Sequence, residues 1–150
     1  MKKSIALGIS LVALLLYVGT ACADDLQAVK EKGKITMAMS GQYPPFNFVN
    51  DKNELTGFDV EIGKEVAKRM NVEGVPLSIA WDGIIAGLLA NKYELICGSM
   101  AITDDRLKSI DFSDPYYRSG AQLFVKKGSP VKSVEELKGK KVGVTLGTTY

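Results

Sequence analysis

The stretch "TDDRL", residues 103–107, places an arginine where a helix would disfavour one. Thr103 can cap a helix, so that Asp104 and Asp105 occupy the first turn, where the positive end of the helix dipole favours acids. Arg106 lies in the same turn, and its planar guanidinium can hold a carboxylate through two parallel hydrogen bonds. Spacing alone leaves two interpretations open: Arg106 binds an anion from outside the chain, or it pairs with a nearby acid, Asp104, Asp111 or Asp114.

Aromatic and small polar residues are further candidates for binding. Tyr43 and Trp81 each follow a predicted strand, and their rings could supply apolar contact and cation–π attraction to an ammonium group. Isolated aromatic residues more often serve packing, so that alternative stays open. Gly147, Thr148 and Thr149 resemble an anion-binding turn at the start of a helix, although ordinary strand-to-helix turns have the same composition.

Composition excludes several kinds of site. The chain has no histidine among its 150 residues, which rules out a Ser-His-Asp triad and a histidine metal site within it. Lys2 and Lys3 account for the formal net charge of +2, and removing them from the 19 basic residues leaves 17 against 17 acidic ones. A balanced chain without a basic stripe argues against a nucleic-acid partner. We expect no metal and no cofactor.

The first residues, "MKKSIALGISLVALLLYVGTACADD", have the layout of a secretory signal peptide: two lysines, an apolar run and then small residues. Ala21-Cys22-Ala23 is an A-x-A cleavage site, which predicts a signal peptide over 1–23 and a mature chain that starts at Asp24. The alternative is a lipid anchor on Cys22. After the predicted cut Cys97 is the only cysteine left, so we expect no disulfide within these residues and a buried structural thiol.

Strand-like and helix-like pieces must position these residues, and they alternate along the chain. The predicted strands are "KITMAM", "VPLSIA", "ELICGSM", "AQLFVKK" and "KKVGVT", with a hairpin over "YPPFNFVNDKNELTGF" whose tip is Asp51-Lys52-Asn53. The predicted helices are "DVEIGKEVAKRM", "WDGIIAGLLANKY", a short helix from Thr103, and one opened by a capping box of Ser133 and Glu136.

Hydrophobic spacing predicts which face of each longer helix is buried. In the first, Ile62, Val66 and Met70 recur at every fourth position and should face the core. In the second, the predicted apolar side consists of Ile84, Ile85, Leu88 and Leu89.

The alternation predicts an α/β fold with an open sheet covered by helices on both faces. In such sheets ligands bind beyond the carboxyl ends of the strands, so the loops "CGSMAIT" and "TLGTT" are expected to carry function. The last predicted strand leads into Gly-Thr-Thr without a following helix. We therefore expect an N-terminal fragment, with one nearly whole domain and the beginning of a second.

Taken together, the motifs resemble a known family. "YPPFNF", "LTGFDVEI", "WDGIIAGLLANKYELICGSMAITDDR", "IDFSDPYY" and "KGKKVGVTLGTT" follow the order found in the periplasmic solute-binding proteins of polar amino acid ABC importers, extracellular solute-binding protein family 3. The resemblance implies the two-lobed, type II periplasmic-binding-protein fold. The first α/β lobe would cover 24–118, a hinge crossing 119–122, and the start of an incomplete second lobe 123–150.

The resemblance also implies roles for individual residues. Arg106 would hold the α-carboxylate of an amino acid. The other implied contacts are Gly98, Ser99 and Ala101 from the first lobe, Tyr43 and Trp81 beside the ligand's side chain, Ser40 near that side chain, and Thr145, Thr148 and Thr149 from the second lobe. The chain departs from the family at two of these places: relatives often have Ser or Thr where Ala101 stands, and several have Asp where Ser40 stands. An acid for the α-amino group would lie beyond Tyr150.

The implied function is to bind a free amino acid in the periplasm, as a monomer, and to deliver it to the permease of an ABC importer. The alternatives are a periplasmic enzyme on the same fold, such as a cyclohexadienyl dehydratase, or a receptor sensor domain. An enzyme needs a positioned acid or base, whereas the visible site offers hydroxyls, aromatics and an arginine. Because Ser40 is neutral, we expect a neutral amino acid rather than lysine or arginine, although Tyr43 and Trp81 could also sandwich a guanidinium.

Overall fold

A computed structural model of the chain describes residues 25–150. The predicted signal peptide over 1–23, its cut before Asp24 and the alternative lipid anchor on Cys22 lie outside the described residues. Within 25–150, no helix combines the length and the apolar character needed to cross a membrane.

The described residues form an α/β fold, as predicted. The strands are β1 (Lys34–Met39), β2 (Gln42–Tyr43), β3 (Asn47–Val49), β4 (Leu55–Thr56), β5 (Glu73–Ser78) and β6 (Leu95–Ile96). The α-helices are α1 (Asp25–Lys32), α2 (Phe58–Arg69), α3 (Ile84–Leu89) and α4 (Asp104–Leu107), and short 3-10 turns cover Trp81–Gly83 and Glu135–Leu137.

The core sheet is parallel, in the order β5-β1-β6. Six residue pairs join β1 to β5, from Lys34 opposite Glu73 to Met39 opposite Ser78. Met37, Ala38 and Met39 are fully buried, because β1 is the central strand and both faces of the sheet are covered. The strand "KITMAM" has the predicted bounds, whereas β5 begins two residues before its prediction and β6 keeps only two residues of "ELICGSM".

A small antiparallel sheet in the order β2-β3-β4 follows β1. Its last two strands form the predicted hairpin, with Phe48 opposite Thr56. The Asn50 side-chain oxygen accepts hydrogen bonds from the backbone amides of Lys52 and Glu54, both at 2.9 Å, which closes the tip around the predicted residues 51–53. Gly57, at φ 120°, then turns the chain into α2.

The predicted buried face of α2 is wrong in part. Val66 is 39% exposed, whereas Ile62 and Met70 are only partly buried at the margin of the core. The fully buried apolar side chains of α2 are instead those of Val60 and Ala67, which flank the buried Gly63.

Close approach to the sheet explains this choice of face. A β-carbon added at Gly63 would collide with the Met37 sulfur, so the absence of a side chain there lets α2 lie directly against β1. Ala67 adds a second small contact one turn further on. The smallest residues of α2, rather than its largest, therefore face the sheet.

Helix α3 covers the opposite face of the sheet. Ile84 is buried against Ala38 and Tyr93, and Ile85 and Leu88 pack partly buried against this group. Leu89 belongs to the predicted apolar side but is 59% exposed, because α3 ends at that residue.

Residues 121–150 contain neither of the two strands predicted there. The segments "AQLFVKK" and "KKVGVT" pair with no strand of the described chain, and Phe124 is 85% exposed. A strand needs neighbouring backbone groups for its hydrogen bonds, so an apolar pattern alone does not form one. The predicted capping box is also wrong, because the Glu136 carboxylate accepts from the Lys132 amide at 3.0 Å and the 3-10 turn has no side-chain cap.

The exposure difference between two valines of α2 gives a stability prediction. Val60→Ala removes two fully buried methyl groups and should lower the free energy of unfolding by about 2 kcal/mol. Val66→Ala, the matched control on the exposed side, should change it by less than about 0.5 kcal/mol. Urea unfolding of both variants of the mature protein measures the difference, and equal losses would contradict this assignment of the buried face.

Burial also predicts the reactivity of Cys97. Its thiol is 5% exposed, as expected from sequence, and donates to the Asp59 backbone carbonyl at 3.2 Å. Burial and then the nearby Asp59 charge raise the pKa of Cys97 to about 11. Because the reactive thiolate is scarce below that pH, pulse alkylation with iodoacetamide at pH 8 should modify Cys97 far more slowly in native protein than in guanidinium. Mass spectrometry of the Cys97 peptide measures this, and equal labelling rates would show that the thiol is accessible.

Candidate functional site

Arg106 lies in the short helix α4. The Thr103 hydroxyl accepts a hydrogen bond from the Arg106 amide at 3.3 Å, which confirms the predicted cap. Asp104 and Asp105 occupy the first turn, as expected.

The partners of the Arg106 guanidinium are carbonyl groups. One terminal nitrogen donates to the Ala101 carbonyl at 2.7 Å and the other to the Gly147 carbonyl at 2.9 Å. The guanidinium carbon lies 5.9 Å from the centre of the Trp81 ring, within cation–π range. Partial burial lowers the pKa of Arg106. Within residues 25–150 no ion pair involves Arg106, so the alternative of an internal ion pair is not what the structure shows.

A cavity of about 340 Å³ lies beside this arginine, in the size range of small-molecule sites. Its lining includes all ten residues predicted from sequence: Ser40, Tyr43, Trp81, Gly98, Ser99, Ala101, Arg106, Thr145, Thr148 and Thr149. Five further lining residues were not predicted: Gln42, Ala80, Asp82, Leu146 and Tyr150. The structure therefore brings together positions that span more than a hundred residues of sequence.

The parallel sheet explains why the first-lobe positions meet. Ser40 follows β1, Trp81 follows β5 by a short connection, and Gly98 follows β6. These three points are carboxyl ends of neighbouring parallel strands, which lie at one edge of the sheet. Residues of the loop "CGSMAIT" line the cavity for this reason, and a functional role for the loop stays a prediction.

Residues 145–150 close another side of the cavity. The Gly147 carbonyl accepts from the Trp81 indole nitrogen at 3.2 Å as well as from Arg106. The hydroxyls of Tyr43 and Tyr150 lie 3.4 Å apart, and this hydrogen bond, followed by burial, raises the pKa of Tyr43 to about 12. The predicted turn thus contacts the rest of the site through Gly147 and Tyr150.

Tyr43 also belongs to a cluster of aromatic rings. Its ring stacks on Phe46 with 5.0 Å between centroids, and Phe46 stacks on Tyr117 at 5.1 Å. Packing and cavity lining, the two alternatives for Tyr43, are therefore compatible. The ring packs against Phe46, and the residue also lines the cavity.

Asp59 is the polar residue that sequence reasoning missed. It is fully buried, and its carboxylate accepts hydrogen bonds from Asn47 at 2.6 Å, Ser99 at 2.8 and 2.9 Å, and Tyr116 at 2.7 Å. Burial, and then the hydrogen bond that the Tyr116 hydroxyl donates to Asp59, strongly raises the pKa of Tyr116. An acid in the first turn of a helix is normally a solvated partner of the helix dipole, so Asp59 gave no sign of burial in the sequence.

The site combines a cation with carbonyl partners, hydroxyls, aromatic rings and one carboxylate in the lining, that of Asp82. Such a set can hold a small polar molecule that carries an anionic group near Arg106.

Comparison with known proteins gives a consistent result. The chain is 42% identical over 149 residues to the L-cystine-binding protein TcyJ of Escherichia coli, covering 96% of this chain and 56% of that protein. It is 37% identical over 150 residues to the lysine/arginine/ornithine-binding periplasmic protein of the same species, covering 99% and 55%. The chain thus spans about half the length of these curated relatives.

Solved structures share the fold. Domain 1 of TmArgBP in its arginine-bound form is similar, with a TM-score of 0.59 and 39% identity over 60% of this chain and 71% of that one. An ancestral amino acid-binding protein, a precursor of cyclohexadienyl dehydratase, has a TM-score of 0.60 and 35% identity over 61% and 40%.

Residues 35–143 match the family described as bacterial extracellular solute-binding proteins, family 3. This range covers well over half of the chain and contains the sheet, Trp81, Arg106 and the loops between them. The chain belongs to family 3 of the bacterial extracellular solute-binding proteins.

Proposed function

We propose that this protein binds a free amino acid in the cavity beside Arg106 and delivers it to the permease of an ABC importer. One observation carries the proposal: Arg106 lines the cavity, and its partly buried guanidinium has carbonyl partners, with no acid paired to it in the described chain. A ligand carboxylate would supply the missing negative charge. The relatives named for cystine and for lysine, arginine and ornithine support an amino acid as the ligand.

The remaining lining residues have matching roles in this proposal. Trp81 and Tyr43 would flank the ligand's side chain, while Ser99, Gly98 and Ala101 would contact its polar atoms. Thr145, Thr148 and Thr149 would approach from the second lobe, and Ser40 would lie near the side chain. All of these residues share one cavity, which is the geometric requirement of the proposal.

The domain division is also proposed. Residues 24–118 would form the first lobe, 119–122 a hinge crossing, and 123–150 the start of the second lobe. Support comes from exposed apolar side chains in the last segment, among them Val142, Val144 and Leu146, which a partner sheet would cover. The protein would act in the periplasm as a monomer, after removal of residues 1–23, and without a nucleic-acid partner.

An enzymatic role has less support. The lining within residues 25–150 holds one carboxylate, Asp82, and no histidine, whereas acid–base catalysis needs a positioned pair of proton-transfer groups. The similar precursor of a dehydratase is itself described as an amino acid-binding protein. We therefore propose a carrier that does no chemistry on its ligand.

Ligand charge can be proposed from the residue at position 40. Ser40 offers a neutral hydroxyl, which donates to the Asn47 side-chain oxygen at 2.8 Å. A neutral side chain is therefore favoured over an extended cationic one, which would seek an acid at this place. The L-cystine-binding relative is consistent with a ligand of no net charge.

A thermal-shift panel of amino acids on the full-length protein tests this charge preference. We expect L-cystine, L-glutamine or another neutral amino acid to raise the melting temperature most, because stabilisation grows with ligand concentration relative to Kd. The largest shift with arginine or lysine would contradict the preference for a neutral ligand. No shift with any amino acid would contradict the proposed function itself.

Substitution of Arg106 tests the carboxylate role. Arg106→Ala should weaken binding of the best ligand from that panel by about 2–5 kcal/mol, because a buried carboxylate would lose its charged partner. Arg106→Lys should also bind poorly, since an ammonium cannot reproduce the two-pronged fork. Calorimetry measures both, with Arg69→Ala as the matched control, because Arg69 is an exposed arginine paired with Glu65 on α2. Parent-like affinity in Arg106→Ala would disprove the role.

A further inference from the structure

Residues 111–118 lead from the end of α4 towards the proposed hinge crossing and form no helix or strand. The last backbone hydrogen bond before them runs from the Ile110 amide to the Arg106 carbonyl at 3.0 Å. Within the described chain, no hydrogen bond between backbone groups involves residues 111–125. A segment without such bonds is held by its side chains, so side-chain contacts decide where the first lobe ends.

Two neighbouring tyrosines make those contacts. The Tyr116 hydroxyl donates to the buried Asp59 carboxylate at 2.7 Å and accepts from the Ser99 backbone amide at 2.9 Å. The ring of Tyr117 stacks on that of Phe46, with 5.1 Å between centroids. We name the two hydrogen bonds of the Tyr116 hydroxyl the hinge anchor.

The contacts stop at Tyr117. Residues 118–125, which include the proposed hinge crossing 119–122, make no hydrogen bond or aromatic ring contact with the rest of the described chain. Gly120 lies in open space, since a β-carbon added there would meet nothing within 4 Å. The boundary between held and unheld chain therefore falls directly after Tyr117.

The hinge anchor is a strong contact because of its acceptor. Asp59 is 0% exposed and forms no ion pair within residues 25–150. A hydroxyl bound to a carboxylate makes a shorter and stronger hydrogen bond than one bound to a neutral group. Withdrawing the Tyr116 hydroxyl would also leave a buried acid with fewer donors, which is costly. The bond should therefore persist while the chain beyond it moves.

The same anchor reaches the ligand cavity through Ser99. Ser99 lines the cavity and has φ 55°, a backbone conformation that few residues other than glycine adopt. Its amide donates to Tyr116, and its hydroxyl donates to both Asp59 oxygens, at 2.9 and 2.8 Å. The cavity wall at Ser99 and the start of the hinge are thus fixed by one set of bonds.

We propose that Tyr116 is a positioning residue for ligand capture, because the hinge anchor makes the second lobe turn from a short pivot that begins at Arg118. The inference rests on the proposed two-lobed carrier. Without the Tyr116 hydroxyl, ring contacts alone hold the segment, and the pivot extends back towards Ile110. The lobes then meet in more orientations. Fewer molecules have the orientation that closes over a ligand, and the apparent affinity falls by the same factor.

The experiment measures distances between spin labels in the full-length mature protein by double electron–electron resonance. Labels are attached at three exposed positions: Lys68→Cys on α2, Asp114→Cys before the pivot and Lys138→Cys beyond it. The label pairs are 68 with 114 and 68 with 138. Protein without added cysteines provides the background, because the buried Cys97 should remain unlabelled.

Tyr116→Phe removes only the hydroxyl of the hinge anchor. Tyr117→Phe is the matched control, because its hydroxyl has no hydrogen bond within the described chain and its ring contacts would stay. Each protein is measured without ligand and with L-cystine, L-glutamine or L-arginine, whichever binds the parent most tightly. Calorimetry gives the affinity of that amino acid for each variant.

In the parent we expect a narrow 68–114 distribution that the ligand leaves unchanged, and a 68–138 distribution that the ligand shifts. In Tyr116→Phe both ligand-free distributions should broaden, and binding should weaken about three- to tenfold. Tyr117→Phe should change affinity by less than about twofold. Parent-like distributions in Tyr116→Phe would overturn the inference, even alongside weaker binding or lower stability, because they would mean a purely structural role.

Two further outcomes keep the test decisive. A ligand-induced shift of the 68–114 distance in the parent would place the pivot before Tyr116 and overturn the inference even if Tyr116→Phe does not fold. Absence of amino acid binding by the parent would overturn the proposed function. The ligand-free distributions would then still judge the hinge anchor separately: broadening in Tyr116→Phe supports it, and no broadening overturns it.

Discussion

The buried carboxylate of Asp59 is the interaction on which the architecture of the site depends. Placing a charged group out of water is costly unless hydrogen bonds replace its hydration, and here three neutral donors do so. Those donors come from β3, from the segment after β6 and from the segment before residue 119, represented by Asn47, Ser99 and Tyr116. One side chain of α2 therefore connects three pieces of chain that are distant in sequence, and the Ser99 amide, which donates to the Tyr116 hydroxyl at 2.9 Å, joins two of them directly.

This arrangement has an electrical consequence for the cavity. Asp59 lies behind the lining and Arg106 lies within it, and no ion pair of the described chain involves either. Each charge is stabilised by dipoles: hydroxyls and an amide for the acid, backbone carbonyls for the base. Dipoles leave a field that an ion pair would cancel, so the charge of Arg106 remains uncompensated by an acid at the cavity.

Packing supplies the rigidity that such a field requires. The central strand β1 is buried on both faces, with α2 brought against it at Gly63 and α3 covering the other side. Loops at the carboxyl ends of these strands inherit their positions from the sheet, whereas residues 145–150 reach the cavity through hydrogen bonds to Trp81, Arg106 and Tyr43. The two sides of the site thus differ in what holds them: packing of the sheet on one side and individual hydrogen bonds on the other.

Local sequence determined much of this protein: the strand Lys34–Met39, the hairpin tip, the helix from Phe58, the Thr103 cap and, through family resemblance, the ten residues that meet in one cavity. These features depend on near neighbours or on shared motifs. Tertiary structure alone decided which face of α2 is covered, whether residues 121–127 pair as a strand, which partners Arg106 has and that Asp59 is buried. The reason is physical: periodicity states which residues share a face, but burial and pairing depend on what another part of the chain places opposite them.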